Sequence, residues 1–279
     1  MLLEILKELW QRIRVNDTLD RSYTVAFHLT LAIFPATIFI FTLIPYISIP
    51  DLVPKFIGFL KEMVPPTVYE ALAPTIQDTL GKQRSGLLSF GVIYSLYLAS
   101  NGMMSLLKSF DLVDSTSSIK HTRTYLQQRG IATLLTLALT AALFSSLLLL
   151  IVTRQVLDYM FSQGIITSKL HIIVFSLGRP IIIFLIFFIT ISGIYYLAPT
   201  NKQHAKFIFI GALVATVASF LASVVFSYYV THFAKYNLYG SLGIMIALML
   251  WLFSLSFILL VGFELNITLK KMFTTSHTG

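Results

Sequence analysis

Six stretches of this chain, each about 20 residues long, carry almost no charge, and this limits the possible folds more than any motif does. A hydrocarbon layer about 30 Å thick needs about 20 apolar residues in a helix. Inside it the backbone must satisfy its own hydrogen bonds, which leaves helices or closed barrels. Barrel strands run near 10 residues with strict alternation, whereas these runs are about twice as long and do not alternate. The sequence therefore predicts an all-α polytopic membrane protein. Its six transmembrane helices fall at about 26–48, 86–107, 130–153, 180–198, 207–230 and 242–269. Only 11% of the 279 residues are charged, too few to coat a water-soluble domain of that size.

The basic residues set the orientation. Lys7, Arg12, Arg14 and Arg21 precede the first run, and Lys108, Lys120, Arg123 and Arg129 surround the second connection. Lys202 and Lys206 stand in the fourth connection, and Lys270 and Lys271 follow the last run. These twelve of the 20 Lys and Arg residues fall on one side of a six-span topology. By the positive-inside rule that side is cytoplasmic, with both termini. The formal charge of +8 is then mostly a topology signal. No unbroken basic cluster or nucleic-acid module occurs, so nucleic acid is not an expected partner. Cysteine is absent, which excludes disulfides and thiolate chemistry. Residues 1–24 mix acids, bases and apolar positions without a cleavage site, so the first span reads as an uncleaved anchor.

The expected organisation is an N-terminal amphipathic cytoplasmic segment (1–24), a six-helix membrane domain (25–270) and a short cytoplasmic tail (271–279). In MLLEILKELWQRI, Leu2, Leu6, Leu9 and Ile13 recur at helical spacing, with Trp10 suited to the headgroup layer. This predicts a helix on the inner membrane surface. The first outer loop, about 49–85, is too long for a structureless connection. It reads as an amphipathic helical hairpin broken at Pro65–Pro66.

Three segments carry a family resemblance. YGSLGIMIALMLWLFSLSFILLVGFELN at 239–266 closely resembles the last helix of the YihY/BrkB family of bacterial inner-membrane proteins. Phe34–Pro35 within the first span and IYYLAPTNKQ at 194–203 are similar to the family's pattern, and the order and spacing hold over about residues 15–270. The resemblance implies six spans, cytoplasmic termini and a link to envelope integrity, serum resistance and transport of lipid or other envelope material. Some members have carried a ribonuclease label. Nuclease metal sites want clustered carboxylates, and this chain has only twelve acids, nearly all in solvent-facing segments.

Two charges interrupt the apolar pattern. Arg179–Pro180 divides the stretch Leu170–Pro199, because proline is best placed in the first turn of a helix. On this reading Leu170–Gly178 is a separate outer interfacial segment, and Arg179 is either a lipid-anchored snorkelling residue or a cation holding an anionic head group. Glu264 lies near the opposite end of the last span, so its expected partners are Arg21, His28, Asn101, Lys108 or Arg129 rather than Arg179. It is a structural ion pair, a proton- or cation-coupling carboxylate, or a residue simply exposed at the interface. His28, Asn101, Glu264 and Asn266 together suggest a polar layer in the inner half of the bundle, for substrate or for structure. Pro35, Pro180, Gly240 and Gly243 are kink or hinge candidates, and Trp251 needs an acceptor for its indole N–H.

The six histidines show no metal-ligand spacing, and neither a phosphate loop nor a nucleophile elbow occurs. The sequence therefore suggests no metal, no cofactor, no catalytic residue and no enzyme. It points to a transporter or lipid translocase of the bacterial inner membrane, handling an amphiphilic or anionic envelope molecule among membrane lipids. The alternative is a non-transporting scaffold for envelope integrity.

Overall fold

The computed structural model describes residues 2–46, 84–113, 123–162, 169–200, 205–232 and 236–275, with 53–54, 57–58 and 73 between them. The expected hairpin at about 49–85 therefore falls almost wholly outside the described residues. Seven α-helices are described: α1 (Leu2–Val15), α2 (Thr18–Leu43), α3 (Ser85–Val113), α4 (Tyr125–Ser162), α5 (Lys169–Leu197), α6 (Ala205–His232) and α7 (Tyr236–Thr275), with a 3-10 turn at Ile44–Tyr46. Six of them, α2 to α7, are long and apolar enough to cross a membrane. They match the six expected spans in number and order.

Several helices extend past their expected spans, α4 and α7 at both ends among them, and two of these differences bear on the charged residues. The sequence predicts a break at Arg179–Pro180, but α5 runs unbroken from Lys169 through Pro180 to Leu197. Proline removes one backbone donor, and in a long apolar helix that loss does not end the ladder. The membrane-crossing window still begins at Pro180, as the apolar pattern predicts. The first spanning helix begins at Thr18, ahead of its apolar run. The helix also passes through Pro35, which is buried within it.

The α1–α2 turn is tight. Asp17 adopts φ 48°, in the left-handed region that Asp tolerates better than most residues. Asn16 N–H donates to the Arg12 carbonyl (2.9 Å), and Arg21 N–H donates to the Asp17 carbonyl (3.2 Å), so one helix ends and the next starts within three residues.

The chain forms two compact units. One contains residues up to Phe27 and from Ser100 onward, and the other contains His28–Ala99. In the second, Gly91 lets α3 approach α2, since a Cβ there would lie 3.0 Å from the Phe39 backbone. In the first, the core gathers Phe110, Tyr195 and Phe263 from α3, α5 and α7. Phe110 stacks on Phe263 (ring centroids 4.1 Å apart), and Tyr195 meets both edge-on. The Tyr195 hydroxyl donates to the Leu259 carbonyl (2.7 Å). Further out, the Trp251 indole N–H donates to Ser223 Oγ (3.3 Å), so this tryptophan faces protein as its donor requires.

Small residues bring α6 and α7 together. Gly211 N–H donates to Asn266 Oδ1 (2.9 Å), and a Cβ at Gly211 would overlap that side chain. A Cβ at Gly262 would lie 2.9 Å from Ala215 Cβ and 3.1 Å from the Gly211 carbonyl oxygen. Lipid gives helices no hydrophobic reason to associate, so close packing and hydrogen bonds must hold this pair together. Gly211→Ala and Gly262→Ala should each destabilise the protein by about 1–3 kcal/mol through overpacking. Gly193→Ala, which meets open space on α5, should be neutral or stabilising by up to about 1 kcal/mol. Unfolding of the purified protein by SDS titration from mild detergent checks all three.

Candidate functional site

Helix ends concentrate polar groups. Apolar middles need none, while terminal carbonyls and N–H groups lack partners within the helix. In the larger unit, the start of α2, the end of α3, the start of α4, the end of α5 and the end of α7 carry a series of polar contacts.

Glu264 forms the core of this region. Its side chain is fully buried between Phe263 and Leu265 on α7. Asn16 Nδ2 donates to Oε1 (2.8 Å), and Thr18 Oγ1 approaches the same oxygen at 3.5 Å. Arg12 Nη1 stands 3.9 Å from Oε2. That is ion-pair distance, and Oε2 accepts no hydrogen bond from the described residues. Arg12 Nε is likewise buried without a hydrogen-bond partner among the described residues. Arg21 adds a positive charge nearby and donates from Nη1 to the Ser109 carbonyl (3.3 Å). The carboxylate is therefore held by α1 and the α1–α2 turn.

Of the partners expected from sequence, Arg21 contributes through its charge. Asn101 turns elsewhere and accepts a hydrogen bond from Arg129 Nη1. His28 belongs to the other compact unit. Asn266 is buried two residues after Glu264, but it faces α6 through Gly211, and its Nδ2 has no hydrogen-bond partner among the described residues. Glu264 and Asn266 thus serve different helix contacts rather than one layer. Arg179 lies in α5, but its side chain is outside the described residues, as is the environment of Gly240. Pro180 is exposed and Gly243 half-buried, both within helices.

Sequence reasoning missed Arg12, Asn16 and Thr18. The signal was the Asn16–Asp17 pair, a turn-forming dipeptide that folds α1 back onto α7. It also missed Arg123, which caps α5. Its guanidinium donates to the carbonyls of Ala198 (2.8 Å), Pro199 (2.9 Å) and Leu197 (3.2 Å). A cation there meets both the unpaired carbonyls and the negative end of the helix dipole. Beside it, Thr200 N–H donates to Asp111 Oδ1 (2.8 Å).

One ion pair joins the chain's two ends. Lys271 Nζ lies 2.8 Å from Glu8 Oε1, and Arg12 Nε lies 3.6 Å from the same oxygen. The hydrogen bond from Lys271, helped by the Arg12 charge, holds the Glu8 carboxyl below its ordinary range.

These features define a polytopic α-helical membrane protein with a buried carboxylate clasped by an amphipathic helix. A family model described as Virulence factor BrkB matches residues 9–279, and the chain belongs to that family. Bacillus subtilis YfkH, named as a ribonuclease-like protein, is 30% identical over 270 residues, 96% of each chain. Shorter matches are UPF0761 membrane proteins. The one from Alteromonas mediterranea is 36% identical over 29% of this chain and 28% of its own. The one from Vibrio cholerae is 30% identical over 41% and 39%. No solved structure matches this chain.

Removing the carboxylate leaves the shielded Arg12 with only its contact to the partly exposed Glu8 (3.6 Å), so Glu264→Ala should cost about 3 kcal/mol. Combining Arg12→Met with Glu264→Leu should recover most of it, because neither charge is then stranded. Unfolding by SDS titration measures both. The Glu8–Lys271 pair is partly exposed and contributes about 0.2–1 kcal/mol. Because the Glu8 pKa is lowered in the fold, this contribution is present above the ordinary carboxylate value of about 4.3. It is lost as pH falls through the lowered value. Amide exchange in α1, corrected for intrinsic rates, should rise over that window, and Lys271→Ala should raise it at neutral pH.

Proposed function

We propose that the protein moves an amphiphilic or anionic envelope molecule across, or between the leaflets of, the bacterial cytoplasmic membrane. The observation that carries this reading is Glu264. It is a fully buried carboxylate in a membrane-crossing window, held by a turn outside the spans, with one oxygen accepting no hydrogen bond from the described residues. Charged groups at membrane depth are costly and cluster on substrate and proton paths. Protonating Glu264 removes the attraction to Arg12 and weakens the acceptor for Asn16. The clasp then loosens from the end of α7, which provides a gating or proton-linked step. In this scheme Arg179 attracts the anionic group at the opposite face, and both termini are cytoplasmic.

The ribonuclease-like name of YfkH does not supply an activity here. The acids of this chain are few and scattered along the sequence, and the fully buried Glu264 is committed to Arg12 and Asn16.

The test is reconstitution into vesicles containing a headgroup-labelled anionic phospholipid, with loss of label fluorescence to an external reductant as the readout of translocation. The native protein should translocate lipid, Glu264→Gln should lose most of that rate while remaining folded, and Arg179→Ala should weaken it. Native rates in both variants would overturn the assigned roles. An inactive native protein, tested with solute uptake as well, would leave the scaffold reading in its place.

A further inference from the structure

Helix α1 has two faces, and Glu264 accounts for one of them. Ile5, Glu8, Leu9, Arg12 and Ile13 are shielded where α1 packs along α7. Leu3, Leu6 and Trp10 are exposed at 82%, 58% and 58%. They recur at helical spacing and form a second apolar stripe. It differs from the stripe expected from sequence, because Leu9 and Ile13 belong to the shielded side.

The charges on α1 are sorted around that stripe. Lys7 lies one helical turn after Leu3, and Arg14 one turn after Trp10, with its guanidinium 5.0 Å from the ring centroid. Both cations are exposed and border the stripe. Of the acids, Glu8 is engaged by Lys271, and Glu4 lies on the far side of Lys7. Depth is fixed by the contacts to α7. Arg12 meets Glu264 and Glu8 meets Lys271, while the membrane-crossing window ends at Phe273. The middle of α1 therefore stands level with the end of that window, where headgroups begin.

We propose that the Leu6–Trp10 face of α1, with Lys7 and Arg14 at its edge, docks on the anionic headgroups of the adjoining leaflet. Trp10 supplies the amphipathic body that prefers the interface, and the cations supply selectivity. This does not depend on Glu264 having a transport role. By joining lipid on one side and Glu264 on the other, α1 connects leaflet charge to the end of α7.

The chain has two tryptophans, so Trp251→Phe leaves Trp10 as the only indole in the full-length protein. That variant is placed in vesicles of phosphatidylcholine with increasing phosphatidylglycerol, either lipid being brominated on its acyl chains. Trp10 emission should shift to the blue as phosphatidylglycerol is added. Brominated phosphatidylglycerol should quench it more than brominated phosphatidylcholine at equal mole fraction. The two cations set the preference, each worth about fivefold in relative lipid binding at about 1 kcal/mol per charge. Adding Lys7→Gln and Arg14→Gln should therefore equalise the two lipids while the protein remains monodisperse. Water-like emission without quenching, or equal quenching by both lipids before the cations are changed, would overturn the proposal. So would unquenched blue emission that depends on protein concentration, because a second copy would then cover the face.

Discussion

A carboxylate inside a low-dielectric bundle must be paired within a few ångströms, and Glu264 imposes that condition on the larger unit of this protein. The pairing groups come from α1 and the turn after it, so the N-terminal helix is drawn against the last one. The ends of the chain thereby meet through Glu8 and Lys271. Nearby contacts follow the same logic. Arg123 closes the carbonyl end of α5, Asp111 meets the segment after it, and Arg129 engages Asn101. A bundle that associates without help from water depends on such fixtures and on close contact between small residues. The glycines of α6 and α7 provide the second kind.

Much of the fold was legible in the sequence because its solvent is lipid. Apolar runs of sufficient length admit few alternatives to a helix, so α2 to α7 follow from residue types alone. The residue level was legible where a side chain's chemistry demands a partner. Trp251 needed an acceptor and has Ser223. The limits of legibility were also physical. Pro180 looked like a helix start because proline suits a first turn, yet a helix surrounded by apolar residues has no cheaper alternative and continues through it. The apolar pattern located the window correctly but not the helix end, which depends on where the backbone finds its last partners.

The partners of Glu264 were hidden for a different reason. Depth along a span can be estimated from sequence, and it placed Arg21 and Arg129 at a plausible level. Depth does not specify azimuth. Glu264 and Asn266 lie two positions apart, which turns them toward different neighbours, one toward α1 and one toward α6. A single turn residue, Asp17 with its positive φ, then decides which side chains face Glu264. Membership of the BrkB family confirms the resemblance carried by the last helix, which is where both buried polar residues lie.

The phenol of Tyr195 has a mechanical consequence. It donates to a backbone carbonyl of α7 beside Gly262, where any Cβ would lie 2.5 Å from its oxygen. That bolt fixes the axial register of α5 against α7, as Asn266 fixes α6 against α7 one turn further along. Sliding any of the three past another would strand a polar atom in hydrocarbon. Whatever rearrangement this protein undergoes, these helices travel as one stator, and the freedom to move belongs to what is fastened to it.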